Sequence, residues 1–296
     1  MTEAKKVKFQ ERNIKIMKDL SNENVIHIVK DGVQYLQFRK LLEYSDILVH
    51  GYSLGTDKNF RTARAKNVEP ITKEELEEAK KDYSDLCNAI EMNYIDVVKP
   101  NQAHTKNVKK VDEHVNINKP DFNLKEYDLT DGLITNKSNI LLATTNADCI
   151  LLMFFDPVKK AIANVHSGWK GTLQRISVET VEKMQKEYGS NPKDIICCIC
   201  PSIRKCHFEV EKDVQVLFED EFKDDLKLDE IIERKSESKW LIDTVKINEE
   251  ILQKAGLKKE NIVDCGICSV CNSDLIHSYR VEKEKYGLST AIIGLK

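Results

Sequence analysis

Residues 149–166, CILLMFFDPVKKAIANVH, contain two apolar runs separated by a turn. Ile150 to Phe155 and Ala161 to Val165 are each of strand length, and neither alternates with polar residues. Unbroken apolar runs of this length suit strands covered on both faces. Between them, Asp156-Pro157-Val158-Lys159-Lys160 reads as a hairpin turn, with proline presetting φ at the second position. A turn that pairs Asp156 with Lys159 sets Cys149 directly opposite His166. Directly opposed Cβ atoms lie about 4.5–5.5 Å apart. Such a pair can share one zinc ion through bonds of about 2.3 Å to sulfur and about 2.0–2.1 Å to nitrogen. A turn one residue later shifts the pair diagonally. On spacing alone, a cysteine serving as a small core hydrophobe and a histidine satisfied within the fold stay open as alternatives.

Outward from this hairpin, strands and helices mix along the whole chain. Val25 to Val29 is a strand candidate followed by a turn at Asp31-Gly32, and residues 51–66 read as a polar surface loop. Thr72-Lys73-Glu74-Glu75 is a capping box that starts a charged helix reaching about Met92. Tyr94 to Lys99 reads as a short strand, residues 107–131 as loop, and Asn139 to Ala143 as a strand. Residues 171–188 have helical periodicity and stop at Gly189. Ile195 to Ile199 reads as a buried strand, Glu209 to Phe222 and Asp243 to Ala255 as amphipathic helices, and Thr290 to Leu295 as a last strand. No linker divides the composition into two blocks, so one α/β domain over residues 1–296 is expected.

Composition narrows the function classes. Apolar residues make up 41% and charged residues 32%, which suits a soluble globular core. With 46 basic against 49 acidic residues, the chain lacks the basic excess of a nucleic-acid binder. Ile140 to Phe155 is interrupted by Asp148 and is too short to span a bilayer. The charged N-terminus does not resemble a signal peptide, and the nine cysteines form no spaced disulfide framework. The expectation is a cytoplasmic protein with reduced thiols and no nucleic-acid or membrane partner.

Five short segments carry a resemblance. Ala147-Asp148-Cys149 and His166-Ser167-Gly168-Trp169-Lys170-Gly171 resemble the ADC and HAGWRG signatures of the YfiH, or laccase-domain, family. Gln102-Ala103-His104 is similar to its QVH motif, and Ser278-Tyr279-Arg280 to its SYRR element. Ile199-Cys200-Pro201-Ser202-Ile203 through Phe208-Glu209-Val210 is similar to its IGPSI…YEV segment. The matches keep the family order from about residue 50 to the C-terminus, so residues 1–50 form the N-terminal part that they leave uncovered. The resemblance implies a four-layer α/β sandwich of mixed sheets flanked by helices. It also implies a metal site of His104, Cys149 and His166. The activities it implies are phosphorolysis of purine nucleosides, including methylthioadenosine, and adenosine deamination. Some members are named polyphenol oxidases, and some are linked to peptidoglycan editing.

Four departures bear on chemistry. The family's loop arginine is missing from Ser53-Leu54-Gly55-Thr56-Asp57, Cys200 replaces a glycine, Val281 replaces the second arginine of SYRR, and Leu288 replaces a late arginine. Phosphate needs paired charge or oriented N–H donors. Arg61, Arg64 and Lys170 are the substitutes to examine.

Three ligands with one open position describe a catalytic zinc site, with a bound water whose pKa falls toward about 7. Zinc is expected in preference to copper. Seven histidines are too few for a mononuclear plus trinuclear copper set to converge here, so polyphenol oxidation is not the expected activity. Asp148 is the candidate general base for deamination, its alternative being a structural role beside Cys149. Asn146 is placed to orient it. Trp169, Lys170 and Arg280 are the candidate substrate-binding residues for a purine nucleoside and phosphate, and Gly168 and Gly171 permit close backbone approach before a helix. Core packing for Trp169 and ion pairing for Arg280 are their alternatives. Glu209 and Ser202 read as structural. Cys265-x-x-Cys268-x-x-Cys271, with Cys197 or Cys200, would make a second thiolate site or an iron–sulfur site; buried free thiols are the other reading. Two further functions stay open. One is a metal-free hydrolase or amidase with Cys149 as nucleophile and His166 as base. The other is a non-catalytic partner protein.

Overall fold

The computed structural model describes residues 18–62, 71–92, 97–112 and 125–296. Its strands are β1 (Val25–Lys30), β2 (Val33–Phe38), β3 (Leu48–Leu54), β4 (Val97–Val98), β5 (Val108–Lys110), β6 (Gly132–Thr135), β7 (Leu141–Asn146) and β8 (Ile150–Asp156). They continue as β9 (Ala161–Ser167), β10 (Ile196–Ile199), β11 (Glu209–Val210), β12 (Ile232–Arg234), β13 (Trp240–Ile242), β14 (Ile262–Asp264) and β15 (Ser289–Leu295). The α-helices are α1 (Arg39–Leu42), α2 (Lys73–Ala89), α3 (Trp169–Leu173), α4 (Ile176–Tyr188), α5 (Lys212–Phe222), α6 (Leu228–Ile231), α7 (Thr244–Lys254) and α8 (Tyr279–Glu282).

Two mixed six-stranded sheets carry the fold, in the orders β1-β2-β3-β15-β7-β4 and β14-β10-β8-β9-β6-β5. A smaller sheet has the order β11-β13-β12. Strand β8 shows why its sequence does not alternate. Leu151, Met153 and Phe155 enter the core between the two large sheets, while Ile150, Leu152 and Phe154 pack with Val181 and Met184 of α4 and Leu252 of α7. Each such side chain contributes roughly 1.5–3 kcal/mol relative to exposure. On the far side, Tyr83 and Leu86 of α2 cover Val49, Leu141 and Ile292 of the first sheet. The layers are therefore helix, sheet, sheet, helix: the expected four-layer sandwich.

One polar residue crosses the apolar middle. Asn164 of β9 is fully buried, and its Nδ2 donates to the carbonyls of Leu142 and Ala291 in the opposite sheet. Thr144 Oγ1 donates to its Oδ1 at 2.5 Å. Burying an amide without such partners is unfavourable, so the three bonds specify how the sheets face each other.

Local signals behave as their chemistry predicts. Asp31 and Gly32 both take positive φ, as a two-residue hairpin turn requires between β1 and β2. The Thr72–Glu75 capping box forms at the start of α2, and Gly189 caps α4 in the left-handed region. Several expectations need correction. Residues 51–54 belong to β3, a strand paired on both edges, not to a surface loop. Their polar composition misleads because Gly51 makes room for Ile90, and Ser53 Oγ accepts from the Thr290 N–H. The single helix over 171–188 is two, broken at Arg175 with φ +57°. Glu209 and Val210 form β11, and the helix begins only at Lys212. The loop expected over 107–131 contains β5, and residues 113–124 of it lie outside the described residues. Of the strand expected at Tyr94 to Lys99, Val97 and Val98 pair in β4, while residues 93–96 lie outside the described residues. Among the described residues, no helix is long and apolar enough to cross a membrane.

Candidate metal centre and pocket

The hairpin register is the diagonal one. Asp156 pairs with Ala161 and Leu151 with His166, so Cys149, just before β8, lies diagonal to His166 on the same face. The expected direct opposition is corrected by the turn. Asp156 Oδ1 accepts the N–H groups of Val158 and Lys159, and Lys160 takes positive φ, giving a four-residue loop over 157–160. The residue that faces Cys149 across the ladder is Gly168. A Cβ there would lie 2.9 Å from His104 Cδ2, 3.1 Å from Cys149 Sγ and 3.4 Å from His166 Cε1. Glycine at 168 is thus a cradle for the three side chains.

His104 arrives on the segment after β4, held at its edge by Gln102. The Gln102 amide donates to the Thr145 carbonyl and accepts the Thr145 N–H, both at 2.8 Å. His104 itself has φ +60°, a left-handed backbone that its neighbours must enforce. Asp131 does so. Its carboxylate accepts the backbone N–H groups of Ala103, His104 and Thr105 and the Thr105 hydroxyl. The same carboxylate accepts Nδ1–H of His166 at 2.8 Å, which leaves Nε2 of His166 free for a ligand.

The donor atoms of His104, Cys149 and His166 all lie within 4.8 Å of one another. Cys149 Sγ is 4.0 Å from His104 Nε2. One zinc ion reaches both, because a Zn–S and a Zn–N bond together span about 4.3–4.4 Å. The two imidazole rings stand edge to face, with centroids 4.9 Å apart. Burial alone would raise the Cys149 thiol, yet His166 and His104 bring it down to about 6. Burial would likewise depress His166, yet Cys149 and Asp131 push it up to about 9. Burial raises Asp131, but His166 and the donors at Thr105 hold it below the usual carboxylate range. A thiol pKa held down by two histidines, a His166 Nδ1 tied to Asp131 and a cradle without a Cβ all fit a metal ion.

These three residues line a cavity of about 500 Å³, a size that takes a nucleoside. Trp169 and Arg280, singled out in the sequence, line it too, as do Phe208, Tyr279 and Tyr286. Lys170 does not; it is exposed, with its ammonium 5.3 Å from the Trp169 ring centroid. Helix α3, which Gly168 caps, is a single short turn of five residues. Asp148 takes φ +83°. Its Oδ1 accepts from Ser269 Oγ at 2.6 Å and its Oδ2 from the Arg280 backbone N–H at 2.7 Å. The Arg280 guanidinium donates to the carbonyls of His207 and Glu209. Asn146 does not orient Asp148; its Nδ2 donates to the carbonyls of Cys149 and Pro201. Glu209 pairs with Lys235 at 2.7 Å, and Ser202 is buried and bridged to Cys268.

Sequence reasoning passed over Asp131 and Lys99. A lone Asp-Gly before a strand was the only sign of the first, and a lysine ending an apolar run the only sign of the second. Lys99 lines the cavity and is 6% exposed; its Nζ donates to Thr62 Oγ1 at 3.3 Å. No carboxylate pairs with it among the described residues. Burial and neighbouring Arg61 hold its pKa down at about 8. Arg61 stacks on Tyr286, 4.4 Å from its ring centroid, and donates to the Tyr286 carbonyl. Its Nη1 is buried without a partner among the described residues. Arg64 lies outside the described residues. All nine cysteines are free. Cys200 and Cys265 enter the core between the large sheets and Cys197 the opposite face, so neither Cys197 nor Cys200 completes a site with Cys268 and Cys271.

Comparison with known proteins shows the family. The family model of the multi-copper polyphenol oxidoreductase laccase matches residues 58–296. A purine nucleoside phosphorylase of Staphylococcus epidermidis is 31% identical over 214 residues, covering 71% of this chain and 77% of that one. Purine nucleoside phosphorylase YlmD of Bacillus subtilis is 34% identical over 167 residues, which cover 56% of this chain and 59% of that protein's length. The crystal structure of YfiH from Bacillus licheniformis superposes with a TM-score of 0.76 at 25% identity, covering 88% of this chain and 96% of the other. The segments gathered around His104, Cys149 and His166 thus lie within the matched span, and the chain belongs to the laccase-domain, or YfiH, family.

Proposed function

We propose that this chain is a zinc-dependent purine nucleoside phosphorylase. One observation carries the reading: three side chains able to hold a metal ion and a buried lysine, with no carboxylate partner among the described residues, line the same cavity. His104, Cys149 and His166 hold the ion. When bound, zinc supplies a Lewis acid at the cavity wall. Lys99 receives phosphate, and Arg61 beside it adds positive field, which replaces the missing loop arginine of the family. Trp169, Phe208 and Tyr279 offer faces to a purine. Arg280, tied to two carbonyls, keeps a fixed position for a ribose or phosphate oxygen. Asp148 holds Arg280 and the Ser269 loop against the ligand Cys149. In the reaction the bond from ribose C1′ to the purine breaks, a bond from C1′ to phosphate oxygen forms, and the leaving base takes up the proton that hydrogen phosphate gives up. The names of the relatives support this reading, and nine free cysteines suit a cytoplasmic setting.

The test is incubation with adenosine or inosine, with and without phosphate. Free base that appears only with phosphate, together with ribose 1-phosphate, supports the proposal. Inosine formed from adenosine without phosphate would overturn it in favour of deamination, with Asp148 as base. A second reading has its own observation: Cys149, His166 and Asp131 stand in line as nucleophile, base and orienting carboxylate. Stoichiometric alkylation of Cys149 that abolishes activity in metal-free protein would favour that hydrolase.

A further inference from the structure

Outside the cavity, four more ligand-bearing side chains converge. Cys206 and His207 lie in the loop between β10 and β11, and Cys268 and Cys271 in the segment after β14. Their donor atoms all fall within 4.8 Å of one another. Cys206 Sγ is 3.7 Å from Cys268 Sγ. His207 Nδ1 is 3.1 Å from Cys206 Sγ, 3.6 Å from Cys268 Sγ and 3.5 Å from Cys271 Sγ. A tetrahedral zinc ion, with the bond lengths given above, sets its sulfurs about 3.8 Å apart and each sulfur about 3.5–3.6 Å from nitrogen. Three of the four distances agree with that figure to within about 0.1 Å, and the fourth is shorter.

We infer that Cys206, His207, Cys268 and Cys271 form a second zinc site, with all four positions filled by protein. Three thiolates and one imidazole nitrogen aimed at one point suit a single ion, where an iron–sulfur cluster spreads its thiolates over several irons. With no open position the ion is structural. Binding displaces the protons of whichever thiols are still protonated.

The site would join two loops that also meet through backbone bonds and the Arg204–Asp264 ion pair. Ser202 and Cys268 form an isolated bridge, and the Ser269 N–H donates to the Ser202 carbonyl. Ser269 also holds Asp148, and the His207 carbonyl holds Arg280. The ion would therefore brace one wall of the cavity without touching it.

The experiment uses the full chain, purified under reducing conditions without added metal. Zinc per chain is measured by mass spectrometry, and each cysteine is mapped for alkylation before and after chelation. Two zinc ions per chain are expected. Cys271→Ser should lose one, and His166→Ala should lose the other. Cys206, Cys268 and Cys271 should resist alkylation until chelator is added. That readout uses the unaltered chain and stands even where a variant fails to fold. Free alkylation of these three thiols in zinc-loaded protein would overturn the inference. So would a Cys206–Cys268 disulfide in its place, or a single zinc ion removed by His166→Ala.

Discussion

Gly168→Ala tests the metal centre through a methyl group whose three nearest neighbours are the side chains of His104, Cys149 and His166. Gly168 has φ −61° and ψ 171°, which alanine adopts without strain, so the backbone gives no reason for an effect. The added Cβ falls 2.9 Å from His104 Cδ2 and 3.1 Å from Cys149 Sγ. Carbon contacts are comfortable at about 3.5–4.0 Å. The imidazole and the sulfur must therefore each retreat by roughly half an ångström, while Asp131 and Asn146 hold the backbone of His104 and Cys149 in place. Disturbing the supports of a metal ligand typically weakens binding 10- to 100-fold, about 1.4–2.8 kcal/mol. The assay is competition for zinc against a chromogenic chelator, with the rise in melting temperature on adding zinc as a second readout. Gly171→Ala is the control. Its Cβ meets Ile176 Cγ2 at 3.3 Å and the His166 carbonyl oxygen at an ordinary 3.5 Å, with no side chain of His104, Cys149 or His166 among its nearest atoms, so it should lose some stability and keep its zinc affinity. If Gly168→Ala binds zinc as tightly as the parent, the three side chains are not the ligands.

Asp131→Asn should weaken zinc about 10- to 100-fold. In metal-free protein the alkylation rate of Cys149 should level off above about 6, and this variant should move that inflection upward, because His166 holds its proton less firmly. Lys99→Met should raise the KM for phosphate about 10- to 100-fold, from the loss of a charge-assisted bond of about 1.5–3 kcal/mol. The nucleoside KM should change little, and the parent's phosphate affinity should fall as pH rises through about 8 and Lys99 loses its proton. Equal loss for both substrates would remove Lys99 from the phosphate role. Asn164→Leu leaves the carbonyls of Leu142 and Ala291 and the Thr144 hydroxyl without their partner. Urea unfolding should show a loss of about 1–3 kcal/mol or more, and no loss would mean that the bonds do not matter to the sheets.

What could be read from the sequence depended on range. The β8–β9 hairpin announces itself because its two runs and its turn are adjacent. The capping box at Thr72 and the stop at Gly189 are local in the same way. The register was harder, since an aspartate that captures two N–H groups of its own turn lengthens the loop to four residues without changing the turn signal. Strand β3 was hidden for a different reason: Gly51 and Ser53 look like loop until α2 and β15 are known to pack on them. His104 came only through the family motif, because its distance from Cys149 is set by bonds between segments. Asp131 and Lys99 carry no local mark at all. Nor does the partnership of Cys206 and His207 with Cys268 and Cys271, where proximity depends on β10 and β14 lying side by side.

The two ligand clusters differ in what braces them, and that difference predicts different behaviour on metal removal. The His104, Cys149 and His166 set is supported without metal. Asp131 binds both histidine segments, Asn146 binds the Cys149 carbonyl, and Gln102 doubles as a strand partner for Thr145. Each of these polar contacts is buried or half-buried beside the core, so none requires the ion to form. At the second cluster Cys206 and Cys271 are exposed to solvent. Regions with few buried contacts open locally at low free energy. Chelation should therefore raise amide exchange in residues 202–208 and 265–272 while leaving 101–105 and 147–151 protected. A uniform rise across all four segments would mean that the first centre also depends on its metal for shape. No rise in the second pair would mean that those loops need no ion, and the structural role assigned to it would fall.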